Sequence, residues 1–189
     1  MELYDLLKAG YSNDKTKQKD LAEKNGYNLD TELSNKKHQF YINDDKHLIH
    51  TINGTQNRDL GQAIQDWNTN LQIALGRGEK TKRFKEEKNA LEKAKKKHNP
   101  TETTIVGHSQ SAFHATRIGD KDDKVVTYNG AFTTPVVKSN NKNIRTFFDP
   151  VSLMSLGTKN TKTIPLESGF RGVVDAHGLK HLKGSGIKI

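Results

Sequence analysis

Three side chains in this sequence have the types and the chain order that acyl-transfer chemistry needs: Ser109, Asp149 and His177. A serine hydroxyl is a weak nucleophile until an imidazole takes its proton, and the imidazole in turn needs a carboxylate to fix its tautomer. Ser109 lies in Gly107-His108-Ser109-Gln110-Ser111, close to the G-x-S-x-G pattern of a sharp strand-to-helix turn. Such a turn lifts the serine above the sheet edge and aims the positive end of the following helix at it. It tolerates only small residues two before and two after the serine. Gly107 meets that requirement, and Ser111 stands where a second glycine is usual.

The elements that must position these groups follow from the flanking residues. The β-branched run 103–106 reads as a buried strand, and 110–118 as a helix with Ala112, Phe113, Ala115 and Thr116 on one packable face. Asp149 ends a strand over 143–148, where a parallel sheet gathers its functional groups. His177 follows in Asp175-Ala176-His177-Gly178-Leu179, completing the order serine, acid, histidine. Asp175 is an alternative acid and His181 an alternative base. His108 and His114 flank the serine too closely in sequence to approach its hydroxyl from the opposite side, which makes them structural or solvent-facing.

The rest of the chain reads as alternating elements. A helix over 2–9 carries Leu3, Leu6 and Leu7 on one side and stops at Gly10. A polar helix capped by Ser12 or Asn13 runs to Lys24, with Gly26 at its end. Strands 38–42 and 47–52 flank a hairpin turn at residues 43–46. Ile64, Trp67, Leu71 and Leu75 mark the buried stripe of an amphipathic helix over 60–75. A longer basic helix over 79–98 has a thin stripe of Phe84, Leu91 and Ala94. Strand 124–128, an edge strand over 161–166 and a short helix or turn over 175–182 complete the pattern. Strands alternating with helices after residue 55 predict an α/β fold: a mainly parallel sheet with helices on both faces.

Composition bounds the function. The 189 residues suit one domain, 1–189, with no linker or internal repeat. The chain has no cysteine, which excludes disulfides and thiolate metal sites. Apolar runs are too short for a membrane span, and the N-terminus lacks a signal-peptide layout, so a cytoplasmic or virion-associated setting is expected. The net charge is +9, and residues 77–98 hold ten basic against four acidic side chains. A helix over 80–97, with Lys80 and Lys97 at its ends, would suit an anionic membrane surface or a solvated face. No recognised nucleic-acid motif accompanies the charge, so specific nucleic-acid recognition is not expected.

These motifs together resemble the class 3 lipases, the fungal triacylglycerol-lipase type of α/β hydrolase, in a compact microbial or virus-encoded form. Leu48-Ile49-His50-Thr51-Ile52-Asn53-Gly54-Thr55 is similar to that family's strand ending in Arg-Gly-Thr, and Asp66-Trp67-Asn68-Thr69-Asn70-Leu71 to its Asp-Trp-x-x-Asp-Leu helix. Gly107 to Ser111 is similar to Gly-His-Ser-Leu-Gly, Asp149-Pro150-Val151 to the acid motif, and His177-Gly178-Leu179 to the His-Ser-Leu motif.

The resemblance implies Ser109 as nucleophile, His177 as general base and acid, and Asp149 as the group that orients it. It also implies an oxyanion hole from the backbone N–H groups of Thr55 and Gln110, with the Thr55 hydroxyl as a further donor. No metal or organic cofactor is implied. Asn53, Gln110 and Ser111 depart from the family's arginine, leucine and glycine. The segment Gln56-Asn57-Arg58-Asp59 is short and polar, so a minimal lid, or none, is expected. The reading is a serine carboxylester hydrolase of lipase, phospholipase or esterase type. Its rivals are a catalytically degenerate scaffold on the same fold and a basic nucleic-acid-binding protein.

Overall fold

Successive residues of the central strands point to opposite faces, and two separate cores form as a result. The computed structural model describes residues 1–12, 14–54, 79, 81–132, 140–153, 157–166 and 176–189. Its seven-stranded sheet comprises β1 (Tyr27–Leu29), β2 (His38–Asn43), β3 (His47–Ile52), β4 (Glu102–His108), β5 (Lys124–Tyr128), β6 (Asn141–Thr146) and β7 (Thr161–Ile164). The strands lie side by side in chain order. The first three pair antiparallel; β3 to β7 are parallel, with Ile49 opposite Thr104 and Val106 opposite Val126. The fold is therefore α/β with a mainly parallel sheet, as its alternating elements require.

Phe40, Leu48, Ile105 and Val125 face one way. They pack against Phe84, Leu91 and Ala94 of α3 (Lys82–His98) and Phe113, Ala115 and Ile118 of α4 (Ser111–Ile118). Tyr41, Ile49, Val106 and Val126 face the other way, against Leu3, Leu6 and Leu7 of α1 (Leu3–Ser12) and the C-terminal Leu182 and Ile187. Helices thus cover both faces. Each buried leucine or isoleucine contributes about 1.5–3 kcal/mol.

Several local expectations are corrected. Gly10 does not end α1, which continues to Ser12. A Cβ there would lie 2.8 Å from Gln39 Oε1, so close packing on the sheet, not termination, explains the glycine. Asp14, rather than Ser12, caps α2 (Lys15–Lys24), its Oδ1 accepting from the N–H groups of Thr16 and Lys17 at 3.0 and 3.2 Å. Asn13 lies outside the described residues, as do the helix expected over 60–75 and the polar stretch at 56–59. The basic helix starts at Lys82, where the Thr81 hydroxyl accepts from Phe84 N–H. The strand expected to reach residue 148 stops at Thr146; Phe147 and Phe148 instead form an exposed turn.

Ion pairs absorb part of the basic helix. Lys95 contacts Asp120 and Asp123, and Lys97 contacts Asp30 and Glu32. Among the described residues, no helix is long and apolar enough to cross a membrane.

Candidate active site

The C-terminal ends of β3, β4, β5 and β6 deliver Asn53, Ser109, Asn129 and Asp149 to one edge of the parallel sheet. Ser109 has φ +59°, the left-handed conformation that a non-glycine residue adopts only when its surroundings impose it. What imposes it is visible. A Cβ on Gly107 would sit 2.7–2.9 Å from backbone atoms of Ser111 and Ala112, so β4 and α4 meet at glycine contact. Ser109 N–H donates to Tyr128 O at 3.1 Å, and Ser109 O accepts from Ala131 N–H at 3.2 Å.

Ser111 fits the elbow through its hydroxyl. Only 2% exposed, it accepts from His108 N–H at 2.9 Å and lies 2.7 Å from Ile52 O and 2.8 Å from His108 O, sharing its proton between them. It joins the ends of β3 and β4 under the serine.

The structure brings Ser109, His177 and Asp149 into one row. Ser109 O–H donates to His177 Nε2 at 2.9 Å, and His177 Nδ1–H donates to Asp149 Oδ1 at 3.0 Å. Asp149 is fully buried and His177 nearly so, which shields the bond between them from water, while Ser109 is half-buried. Gln110 adjoins the serine at the N-terminus of α4. Thr55 and Asp175 lie outside the described residues. His181 is buried in the 3-10 turn Leu179–Leu182, and the serine's hydrogen bond goes to His177 instead.

No family model and no curated protein matches the chain. A crystal structure of a fungal lipase is similar to it at 15% identity and a TM-score of 0.39, covering 73% of this chain. The chain spans 62% of that structure's length.

Tyr128 and Asn129, which the sequence did not single out, hold the histidine together with His108, one of the two histidines read as structural or solvent-facing. Asn129 Nδ2 donates toward Ala176 O at 3.1 Å and His177 O at 3.2 Å, while its Oδ1 accepts from Thr146 N–H at 2.8 Å. Tyr128 O–H donates to Gly178 O at 3.0 Å. His108 stacks on His177 with ring centroids 5.1 Å apart, and its Nε2–H donates to His177 O at 3.3 Å. Its Nδ1 then accepts from Tyr11 O–H at 2.8 Å, and Tyr11 Oη accepts from Gly54 N–H at 2.9 Å. The only sequence signal was position, since Asn129 and His108 lie at strand ends.

That chain requires a neutral His108. Burial, with the neighbouring His177 ring adding, pushes its pKa down to about 3. The unfolded chain takes up this proton near the ordinary imidazole value and the native state does not, so stability falls as pH is lowered from about 6.5 toward 3. Between pH 7 and pH 5 this group alone costs about 2 kcal/mol. Urea denaturation at the two pH values should show a shallower dependence for His108→Gln than for wild type. His114, pushed down to about 4 mainly by burial, retains part of the slope.

Two surfaces adjoin the chain neighbours of Ser109 and Asp149. A cavity of about 330 Å³ is lined by Lys36, Lys37, Gly54, Arg83, Gln110 and His114. On the acid side, Phe147 and Phe148 are 53% and 61% exposed with ring centroids 4.4 Å apart, and Phe148 has φ +59° immediately before Asp149.

Proposed function

We propose that this chain is a serine carboxylester hydrolase of the class 3 lipase type. The observation that carries the reading is the hydrogen-bonded row Ser109–His177–Asp149 built on a positive-φ elbow. Ser109 Oγ attacks the ester carbonyl while His177 Nε2 takes its proton. The Oγ–acyl bond forms, the ester C–O bond breaks, and His177 returns the proton to the departing alcohol. A water molecule, deprotonated by the same imidazole, then cleaves the acyl-enzyme. Asp149 holds His177 in the tautomer that leaves Nε2 able to accept.

Gln110 N–H, at the helix N-terminus, and Thr55 N–H, by family resemblance, are the oxyanion donors in this reading. Each such donor lowers the barrier by about 3–4 kcal/mol. The basic and polar cavity on one side and the exposed phenylalanine pair on the other favour an amphiphilic ester with a polar or anionic head. On this reading the protein meets a lipid surface through the sheet edge that carries Ser109.

A panel of p-nitrophenyl esters of increasing chain length, assayed with and without anionic phospholipid vesicles, tests the proposal. A pre-steady-state burst of one equivalent, and higher turnover of vesicle-presented ester, are expected. Hydrolysis of none of the esters in either condition would overturn it.

A further inference from the structure

Glu87 sits in the apolar stripe of α3 between Phe84 and Leu91, with no solvent-accessible surface. A carboxylate there must be compensated, because burying an unpaired charge costs several kcal/mol. It faces His38 on β2 and His50 on β3, both buried and on the same side of the sheet as Phe40. His38 Nδ1 lies 2.8 Å and His50 Nε2 3.4 Å from the same oxygen, Glu87 Oε2. The other oxygen, Oε1, lies 2.7 Å from Arg83 Nε.

These contacts are close but not aligned. His38 Nδ1, both ring nitrogens of His50 and both Glu87 oxygens lack a hydrogen bond of acceptable geometry. The atoms converge without the N–H vectors that an ordinary ion-pair network would aim at the carboxylate. His38 Nε2 lies 3.2 Å from Leu33 O and 3.0 Å from Asn35 Nδ2. When Nε2–H donates to Leu33 O, a neutral His38 leaves Nδ1 unprotonated, the form in which an imidazole nitrogen ligates a metal.

We propose that His38, His50 and Glu87 form a binding site for one divalent transition-metal cation, with Zn²⁺ the best fit. One ligand atom from each lies within 4.8 Å of the others. Bonds of about 2.0–2.1 Å place two ligands of one tetrahedral Zn²⁺ roughly 3.3 Å apart; His50 Nε2 meets that spacing at 3.4 Å from Glu87 Oε2, and His38 Nδ1, at 2.8 Å, has to draw back slightly when the cation enters. Two imidazoles and a carboxylate suit Zn²⁺ and its first-row neighbours rather than Mg²⁺ or Ca²⁺, which prefer all-oxygen sites. Outer partners are also in place: Leu33 O for the far nitrogen of His38, and Arg83 for the far oxygen of Glu87.

The role is structural. The cation ties α3 to β2 and β3, and Arg83 extends the brace by donating from Nη2 to Lys37 O at 3.0 Å and Asn53 O at 3.3 Å, directly before Gly54. The site owes nothing to the chemistry proposed for Ser109.

Tag-free protein, stripped with a chelator and dialysed, is titrated calorimetrically with Zn²⁺ and separately with Co²⁺ followed by visible absorption. Saturation at one equivalent is expected, with four-coordinate Co²⁺ bands and a higher Tm for the loaded protein. His50→Gln, folded by circular dichroism, should lose saturable binding, and Arg83→Gln should bind about 10–100-fold more weakly. Absence of one-to-one binding in folded wild type would overturn the proposal and leave a metal-free ion-pair cluster. Unchanged affinity in His50→Gln would overturn it equally, placing the metal on other histidines. The wild-type titration decides even if a variant does not fold.

Discussion

His177→Ala is expected to lower kcat/KM on a short aryl ester by about 10⁴–10⁶-fold, with the loss in kcat, because the removed group acts only as charge moves in the transition state. The basis is geometric. His177 Nε2 is 2.9 Å from Ser109 Oγ, and its other nitrogen is 3.0 Å from the buried Asp149 carboxylate. No other histidine is shown bonded to this hydroxyl among the described residues. His181 is buried one turn further along the chain, and His108 spends both ring nitrogens on Tyr11 and on the His177 carbonyl. His181→Ala should therefore retain most of the turnover per folded molecule. If His181→Ala abolishes turnover and His177→Ala does not, the assignment of the base is wrong.

Gly107→Ala is expected to have the largest effect on the fold of the site. The added methyl would meet Ser111 O at 2.7 Å, Ala112 Cα at 2.8 Å and Ala112 N at 2.9 Å. All three are backbone atoms, so no side chain is able to swing away; α4 must lift from β4, or the elbow must open. Overpacking of this kind costs about 3 kcal/mol, which for a domain of this size lowers Tm by about 6–12 °C. Activity should fall further than stability, because the same shift moves Ser109 out of line with His177. Thermal unfolding and turnover of the folded fraction separate the two effects. A Tm and activity equal to wild type would show that the elbow is not tightly packed.

The fold was legible where side-chain pattern and backbone agree. The β-branched runs at β4 and β5, the Asn-Asp-Asp-Lys hairpin turn and the leucines of α1 each pointed to the element that forms. Gly10 misled, because a glycine required for close packing looks in sequence like one that ends a helix. Phe147 and Phe148 also misled, since two aromatics after a strand read as its continuation while the backbone turns at Phe148.

At the site, the order of Ser109, Asp149 and His177 was readable because each falls at or near an element end. The supports were not. Asn129 reaches Ala176 and His177 across 47 and 48 residues, and Glu87 meets His38 and His50 only once α3 lies on the sheet. No local pattern encodes contacts of that separation.

On the proposed reading Ser109 is an activated nucleophile. Fluorophosphonate labelling with peptide mapping, on wild type and Ser109→Ala, tests it most directly, because the reagent reacts fast only with a serine served by a base and an oxyanion hole. Stoichiometric labelling at Ser109 is expected in wild type and none in the variant. Folded wild type that stays unlabelled, with and without lipid, would overturn that reading and leave a scaffold on an α/β fold.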